Sequence, residues 1–216
     1  MTRLVVVSAG LSVPSSTRLL ADRLAAATVE ALEDAEVTHV ELRALAHQLT
    51  DRLLTGFAGP ELEEAIEDVR RADGLVVVTP VFSASYSGLF KTFFDVLEPG
   101  TLDGVPVLVA ATAGTARHSL VLDHALRPLF SYLRAVVVPT GVFAATDDFG
   151  DTGGAAGALD GRIHRAAGEL AALVGKVSSR DAAGAPGGAA STRRSVSDEL
   201  AEPTPFEELL RRVSEG

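Results

Sequence analysis

Residues 4 to 20 read LVVVSAGLSVPSSTRLL, an aliphatic run followed by a hydroxyl-rich loop and the start of a helical pattern. An unbroken β-branched and aliphatic run such as residues 4–9 is typical of a strand that is buried on both faces of a sheet. Apolar residues then recur at three- and four-residue spacing, at Leu20, Leu24, Ala27 and Ala31, which indicates an amphipathic helix. The opening of the chain therefore predicts a strand, a loop and a helix in that order.

The same alternation continues along the chain. Further unbroken apolar runs occupy residues 75–79, 105–111 and 135–140, and a weaker alternating stretch at residues 37–42 predicts a strand nearer the edge of the sheet. Helical spacing recurs between the runs, as in Leu62, Ala65, Ile66 and Val69. Five strands that alternate with helices predict an α/β fold, a flavodoxin-like, doubly wound parallel sheet of order 2-1-3-4-5 with helices on both faces.

The end of the chain differs from the rest in composition. A last helix is predicted at residues 159–177, which closes a domain of residues 1–177, and its inner face is formed by Ile163, Ala167, Leu170 and Val174. Residues 178–204 are rich in Ala, Gly, Ser and charge, which predicts a flexible linker. Residues 205–213 have the pattern of a short amphipathic helix, and the pattern is equally consistent with a frayed tail. Residues 178–216 are therefore expected to lie outside the folded domain.

Composition and charge limit the classes of protein. The 216 residues carry a formal net charge of −10, so nucleic acid is not an expected partner. The absence of cysteine excludes disulfides, thiolate nucleophiles and cysteine-based metal sites. The sequence has no apolar run of about 18 residues and no signal-peptide pattern, which predicts a cytoplasmic protein without membrane association.

The loop after the first strand suits an anion. In a sheet of this order, ligands bind beyond the carboxyl ends of the strands, at the switch between strands one and three. Ser12, Ser15, Ser16 and Thr17 cluster there at the start of a helix, where backbone N–H groups and hydroxyls favour a phosphate. Ordinary N-capping needs only one of these hydroxyls. Neither a Walker lysine nor a G-x-G-x-x-G motif is present, which disfavours a triphosphate or a dinucleotide bound in Rossmann fashion.

Two further loops end at the same predicted edge of the sheet. Residues 79–88 combine small side chains with Pro80, so their backbone can lie against a flat ring. Residues 112–118 add the permissive Gly114 and neighbouring N–H donors. His118 is either a ligand contact or a surface residue. A hydrolase is not supported, since the chain has no G-x-S-x-G elbow.

Residues 80–95, 112–118 and 126–135 resemble the NAD(P)H-dependent FMN reductase family. These flavodoxin-like enzymes are the flavin reductase components of two-component flavin-dependent monooxygenase systems, including the alkanesulfonate type, and the resemblance covers residues 3–177. It implies FMN as cofactor, NADPH or NADH as co-substrate, and a partner monooxygenase that accepts reduced flavin. It also implies a homodimer or homotetramer formed through helices that begin near Ser87 and Ser119. Phe90, Phe93 and Phe94 on the first of these suit either an interface or a core.

The resemblance also implies roles for individual residues. The phosphate would contact Ser12, Ser15, Ser16 and Thr17. The isoalloxazine and ribityl chain would lie along Pro80, Val81, Phe82, Ser83 and Ala84, and one ring edge would meet Thr112, Ala113, Gly114 and Thr115. Tyr86 would hold the position of an inserted tyrosine that forms a π-bulge at a subunit interface and accompanies loosely held flavin. No metal and no catalytic acid or base is implied, since flavin N5 carries the hydride chemistry, and His118 is the one further candidate contributor.

The aromatic residues separate the functional alternatives. The chain has no tryptophan, and only Tyr86, Tyr132 and Phe82 are candidates for stacking on a flavin. Weak stacking favours an enzyme that handles FMN as a substrate or as a weakly held cofactor over a one-electron carrier. Three alternatives remain open. They are an FMN-retaining quinone, azo-dye or chromate reductase, a non-enzymatic flavodoxin-type electron carrier, and a sensor or interaction module that keeps the sheet without turnover.

Overall fold

The computed structural model describes residues 1–150 and 155–182. The strands are β1 (Thr2–Ser8), β2 (Ala35–Glu41), β3 (Gly74–Phe82), β4 (Ser85–Tyr86), β5 (Pro106–Ala113), β6 (Val136–Val137) and β7 (Val142–Ala145). The helices are α1 (Ser16–Leu32), α2 (Ala46–Thr55), α3 (Pro60–Arg70), α4 (Gly88–Asp95), α5 (Arg127–Tyr132) and α6 (Ala155–Ala182). Short 3₁₀ turns occupy Ala116–His118 and Thr146–Phe149, and a π turn occupies Leu122–Leu126.

The main sheet is parallel, in the order β2-β1-β3-β5-β6. β7 pairs with β5 beyond β6, so β6 and β7 together take the place of one fifth strand. β4 is separate and folds back antiparallel on the end of β3. The predicted flavodoxin-like α/β class and the strand order 2-1-3-4-5 are confirmed.

Each face of the sheet has its own apolar core, because successive strand residues point to opposite faces. One core packs Val5, Val7 and their neighbours against α3, α4 and α5, and the other packs Leu4 and Val6 against α1 and α6. Phe90, Phe93 and Phe94 belong to the first core and are at most 2% exposed. Their spacing suited either an interface or a core, and within this chain all three are core residues.

The fifth strand differs from the prediction of residues 135–140. The strand pairing stops after Val137 and resumes at Val142. Proline has no N–H group to donate to a neighbouring strand, and the backbone groups beside Pro139 form hydrogen bonds with side chains instead. The Arg127 guanidinium donates to the carbonyls of Val138 and Pro139, and the Thr140 N–H donates to Glu169 Oε2 at 2.7 Å. These bonds replace the sheet hydrogen bonds across the break.

The last helix is present and longer than the predicted residues 159–177. Its predicted inner face is buried, with Ile163, Ala167, Leu170 and Val174 all at most 2% exposed. The predicted amphipathic helix at residues 205–213 and nearly all of the predicted linker lie outside the described residues. The division into residues 1–177 and 178–216 stays a prediction. None of the described helices combines the length and apolar character needed to cross a bilayer.

Candidate flavin site

Three loops meet at the carboxyl edge of the sheet. β1, β3 and β5 are adjacent and parallel, so the loops that follow them leave from the same edge. Main-chain and side-chain bonds join these loops. The Ala9 N–H donates to the Val78 carbonyl at 3.0 Å, Pro80 lies in register with Thr112, and the hydroxyls of Thr17 and Thr112 are 2.8 Å apart. The structure thus brings together the three segments that the sequence analysis selected.

The first loop closes tightly on the start of α1. Ser15 is the N-cap, and its Oγ accepts a hydrogen bond from the Arg18 N–H at 3.2 Å. A Cβ added at Gly10 would lie 2.1 Å from Ser15 Oγ, so glycine is needed for this close approach. Ser12 and Ser16 are exposed beside the cap. The loop therefore presents hydroxyls and free N–H groups at the positive end of a 17-residue helix, which is a suitable environment for a phosphate.

Thr17 and Thr112 differ from the other hydroxyl residues of the site. Each is only 3% exposed, and their Oγ1 atoms share a hydrogen bond of 2.8 Å. This bond joins the helix that follows the first loop to the end of β5, across 95 residues of sequence. The structure pairs the two side chains with each other, and the ligand contacts that the sequence analysis predicted for both stay a prediction. The pairing could not be recognised from sequence, because it depends on the strand register.

The second loop is a β-hairpin rather than an irregular turn. Val81 pairs with Tyr86 and Phe82 pairs with Ser85, so residues 80–86 form what we call the β3–β4 hairpin. The two turn residues are Ser83, with a φ of 49°, and Ala84, with a φ of 64°. Positive φ at both central positions is typical of a type I′ turn, which usually contains Asn or Gly. Phe82, Ser83 and Ala84 are exposed at the tip, while Pro80 and Val81 are half-buried.

The predicted π-bulge at Tyr86 is wrong in position. Tyr86 lies in β4, where its pairing with Val81 requires an extended backbone that a helical bulge cannot provide. Its ring is half-buried against Phe90, with 5.9 Å between the ring centroids. The π turn lies instead at Leu122–Leu126, in the helical segment after the third loop. An interface role for Tyr86 stays a prediction.

The third loop becomes progressively more exposed along its length. Thr112 is buried and Ala113 half-buried, whereas Gly114 and Thr115 are exposed before the 3₁₀ turn Ala116–His118. His118 ends that turn, and its side chain has no hydrogen-bond partner in the described part of the chain. Its arrangement fits a surface residue as well as a ligand contact.

An ion-pair cluster lies beside the first loop and was not foreseen from the sequence. Arg18 Nε bonds Asp22 Oδ1 at 2.7 Å, and its Nη1 bonds Glu41 at the end of β2. His39 faces the same cluster. Burial, helped by the positive Arg18 nearby, lowers the pKa of His39 below its usual value, while Asp22 and Glu41 act in the opposite direction. Because Arg18 is held by two carboxylates, the first loop offers a phosphate mainly backbone N–H groups and serine hydroxyls.

Buried hydroxyls are concentrated at this edge. Five of the six buried polar residues in the described chain lie near the carboxyl ends of β1, β3 and β5 or in the segments that follow these strands: Ser8, Thr17, Thr79, Ser87 and Thr112. Burying a hydroxyl is unfavourable unless it is hydrogen-bonded, so such a concentration indicates a constrained site rather than ordinary core. The residues fit FMN, because a phosphate-binding helix start lies next to a hairpin with small exposed side chains. The fold and the site together define a flavodoxin-like flavoprotein.

Comparisons with known proteins specify the family. Residues 2–150 match the family described as NADPH-dependent FMN reductase. The FMN reductase (NADPH) of Pseudomonas aeruginosa is 41% identical, over 80% of this chain and 92% of its own. The NADH-dependent FMN reductase SfnE of Pseudomonas putida is 40% identical, over 79% and 91% respectively. An oxidoreductase structure from Corynebacterium diphtheriae superposes with a TM-score of 0.79 at 53% identity, covering 82% of this chain and 98% of that one.

The chain therefore belongs to the NADPH-dependent FMN reductase family. The predicted family, the oxidoreductase class, and FMN and NAD(P)H as cofactor and co-substrate are confirmed.

Proposed function

We propose that this FMN reductase binds FMN loosely, as a substrate, and supplies the reduced flavin to a partner monooxygenase. The observation that supports this proposal is the shortage of aromatic side chains at the flavin loops. A protein that retains its flavin commonly stacks large rings on the isoalloxazine, which stabilises the complex by burial and ring contact. A reductase that releases reduced flavin needs weaker stacking.

The three candidate aromatic residues differ in position. Tyr86 turns toward Phe90 and is half-buried there. Tyr132 is 84% exposed at the end of α5, just before the chain enters β6 at the opposite edge of the sheet. Only Phe82, 47% exposed on the β3–β4 hairpin, is at the carboxyl edge and accessible. A single accessible ring among these three candidates at the carboxyl edge favours an open flavin site.

Each part of the site has a distinct proposed role in binding. Backbone N–H groups at the start of α1, with Ser12, Ser15 and Ser16, would hold the phosphate. The hairpin residues 80–84 would lie along the isoalloxazine and ribityl chain, and residues 113–115 would cover one ring edge. When bound, FMN accepts a hydride from the nicotinamide. The protein orients the two rings and excludes water from between them, and this positioning requires no protein acid or base.

The decisive experiment is a turnover count without oxygen. Flavin-stripped protein is mixed anaerobically with excess NADPH, or NADH in a parallel series, and a hundredfold excess of FMN, and the loss of flavin absorbance near 450 nm is followed. A protein that exchanges its flavin reduces the whole FMN pool. A protein that retains its flavin reduces one FMN per subunit and stops, and this result would contradict the proposal.

The alternatives have different outcomes in a companion assay. If one FMN per subunit is reduced and a quinone then restores continuous NAD(P)H oxidation, the chain is a flavin-retaining quinone reductase. A matched Thr28→Val variant serves as control, since Thr28 is buried in α1 and, within the part of the chain that the structure describes, its hydroxyl bonds only the Leu24 carbonyl. It should reproduce the wild-type turnover count.

A further inference from the structure

The buried hydroxyl of Thr79 lies at the base of the β3–β4 hairpin. Thr79 is completely buried, on the face of β3 that packs against α4. Its Oγ1 donates to the Pro80 carbonyl at 3.0 Å and accepts from the Ser87 N–H at 3.0 Å. One hydroxyl group, with its single donor and its acceptor lone pairs, therefore bridges the first residue of the hairpin and the residue that follows its last strand.

The Ser87 end of this bridge is itself fixed. Ser87 is 1% exposed and is the N-cap of α4, where its Oγ accepts from the Phe90 N–H at 3.1 Å. Phe90 is fully buried and its ring packs on those of Phe94 and Phe130. The bridge through Thr79 thus connects the hairpin to the aromatic core beneath it.

The hairpin needs such an anchor because its turn is strained. Ser83 and Ala84 both adopt left-handed φ values without glycine, a conformation that residues with a side chain rarely adopt and that persists only where the surroundings enforce it. Only two residue pairs join the strands of the hairpin. A hairpin this short is marginal without other support.

We propose that Thr79 is a positioning residue for flavin: its buried hydroxyl holds the two ends of the β3–β4 hairpin in the arrangement that FMN binds. The inference rests on the proposed flavin site. Thr79 itself does not touch the ligand, since it is completely buried beneath the hairpin. Loss of its hydroxyl frees the base of the hairpin, which must then be ordered again whenever FMN binds.

The test uses Thr79→Val, which keeps the shape and removes the hydroxyl, and Thr79→Ser, which keeps the hydroxyl. Thr28→Val is the matched control, because it removes another fully buried hydroxyl far from the hairpin. Amide hydrogen exchange is first measured on the flavin-free proteins. We expect exchange at residues 81–87 to be at least tenfold faster in Thr79→Val, within threefold of wild type in Thr79→Ser, and unchanged in Thr28→Val.

Flavin binding is then titrated by the quenching of FMN fluorescence. We expect Thr79→Val to weaken FMN binding at least fivefold and to raise KM for FMN more than it lowers kcat, with Thr79→Ser close to wild type. The inference is overturned if the amides of residues 81–87 exchange at the wild-type rate in Thr79→Val. It is also overturned if Thr28→Val accelerates their exchange as much as Thr79→Val does. If wild type binds FMN and Thr79→Val binds it equally well, the inference alone fails. If wild type does not bind FMN, the proposed function fails, and the exchange data still decide whether Thr79 anchors the hairpin.

Discussion

Removal of the hydroxyl pair between Thr17 and Thr112 should produce strongly non-additive effects on stability. The two Oγ1 atoms are 2.8 Å apart and both residues are 3% exposed, so water cannot readily replace either partner. Thr17→Val alone leaves the Thr112 hydroxyl buried and unpaired, and Thr112→Val has the converse effect. An unsatisfied buried hydroxyl costs about 1–3 kcal/mol, whereas replacing both partners by apolar groups of the same shape is nearly neutral.

The expected values follow from that asymmetry. Each single variant should lower the free energy of unfolding by about 1–2 kcal/mol, and the double variant by no more than either single one. The coupling energy of the double-mutant cycle should then be at least about 1 kcal/mol. Urea denaturation of flavin-free protein, followed by far-ultraviolet circular dichroism, measures all four forms.

A second double-mutant cycle, which combines Thr17→Val with Thr28→Val, serves as the control. Thr17 and Thr28 lie on α1, about 16 Å apart along its axis. Residues at that distance without shared partners should give additive effects. If the effects of Thr17→Val and Thr112→Val are also additive, the hydroxyl pair does not couple the start of α1 to the end of β5.

Three further predictions concern the first loop, the hairpin and the ion-pair cluster. Gly10→Ala should weaken FMN binding and lower the free energy of unfolding by about 1 kcal/mol through loss of helix capping, because the new Cβ would lie 2.1 Å from Ser15 Oγ. Gly161→Ala is the control, since its Cβ meets nothing within 4 Å. It should stabilise the protein by up to about 1 kcal/mol in the same urea denaturation assay. Ala84→Gly should stabilise flavin-free protein by about 0.5–1 kcal/mol through relief of its left-handed φ, and a loss of stability would show that the turn is not strained. The pKa of His39 is lowered in the folded state, so the unfolded chain binds a proton more readily, and stability should fall as the pH drops through about 6.5 and level off below the folded-state pKa. His39→Gln should flatten that part of the stability profile, measured by thermal unfolding between pH 5 and pH 8, and an unchanged profile would exclude His39 as its source.

The order of the elements could be predicted because the buried strands have an unmistakable pattern. β1, β3 and β5 are continuous aliphatic runs, as a sheet covered on both faces requires, and helical spacing between them fixes the alternation. Sequence alone did not predict β7, because the break before it depends on side chains from elsewhere in the chain. Arg127 and Glu169 satisfy the backbone groups around Pro139, and neither contact is encoded in the local pattern.

The site was predictable to the level of loops and less well to the level of atoms. The hydroxyl cluster and the small residues around Pro80 identified loops that the structure brings together at one edge of the sheet, and their contacts with FMN stay a prediction. The hairpin was missed because its turn lacks the Asn-Gly or Asp-Gly signal, with Ser83 and Ala84 in those positions. The roles of Thr17 and Thr79 were hidden for another reason. A buried hydroxyl and an exposed one have the same letter in the sequence, and only the packing of β3, β5 and α1 distinguishes them.

The π turn at Leu122–Leu126 affects the sheet at a distance. A residue added to a helix rotates everything after it by about 100°, unless a wider turn absorbs the extra residue. Arg127 follows the π turn directly, and its guanidinium reaches the carbonyls of Val138 and Pro139. The rotational position of this helix therefore determines whether Arg127 reaches the backbone carbonyls at the break in the fifth strand. Adding or removing one residue in the helix would alter the far edge of the sheet as well as the helix itself.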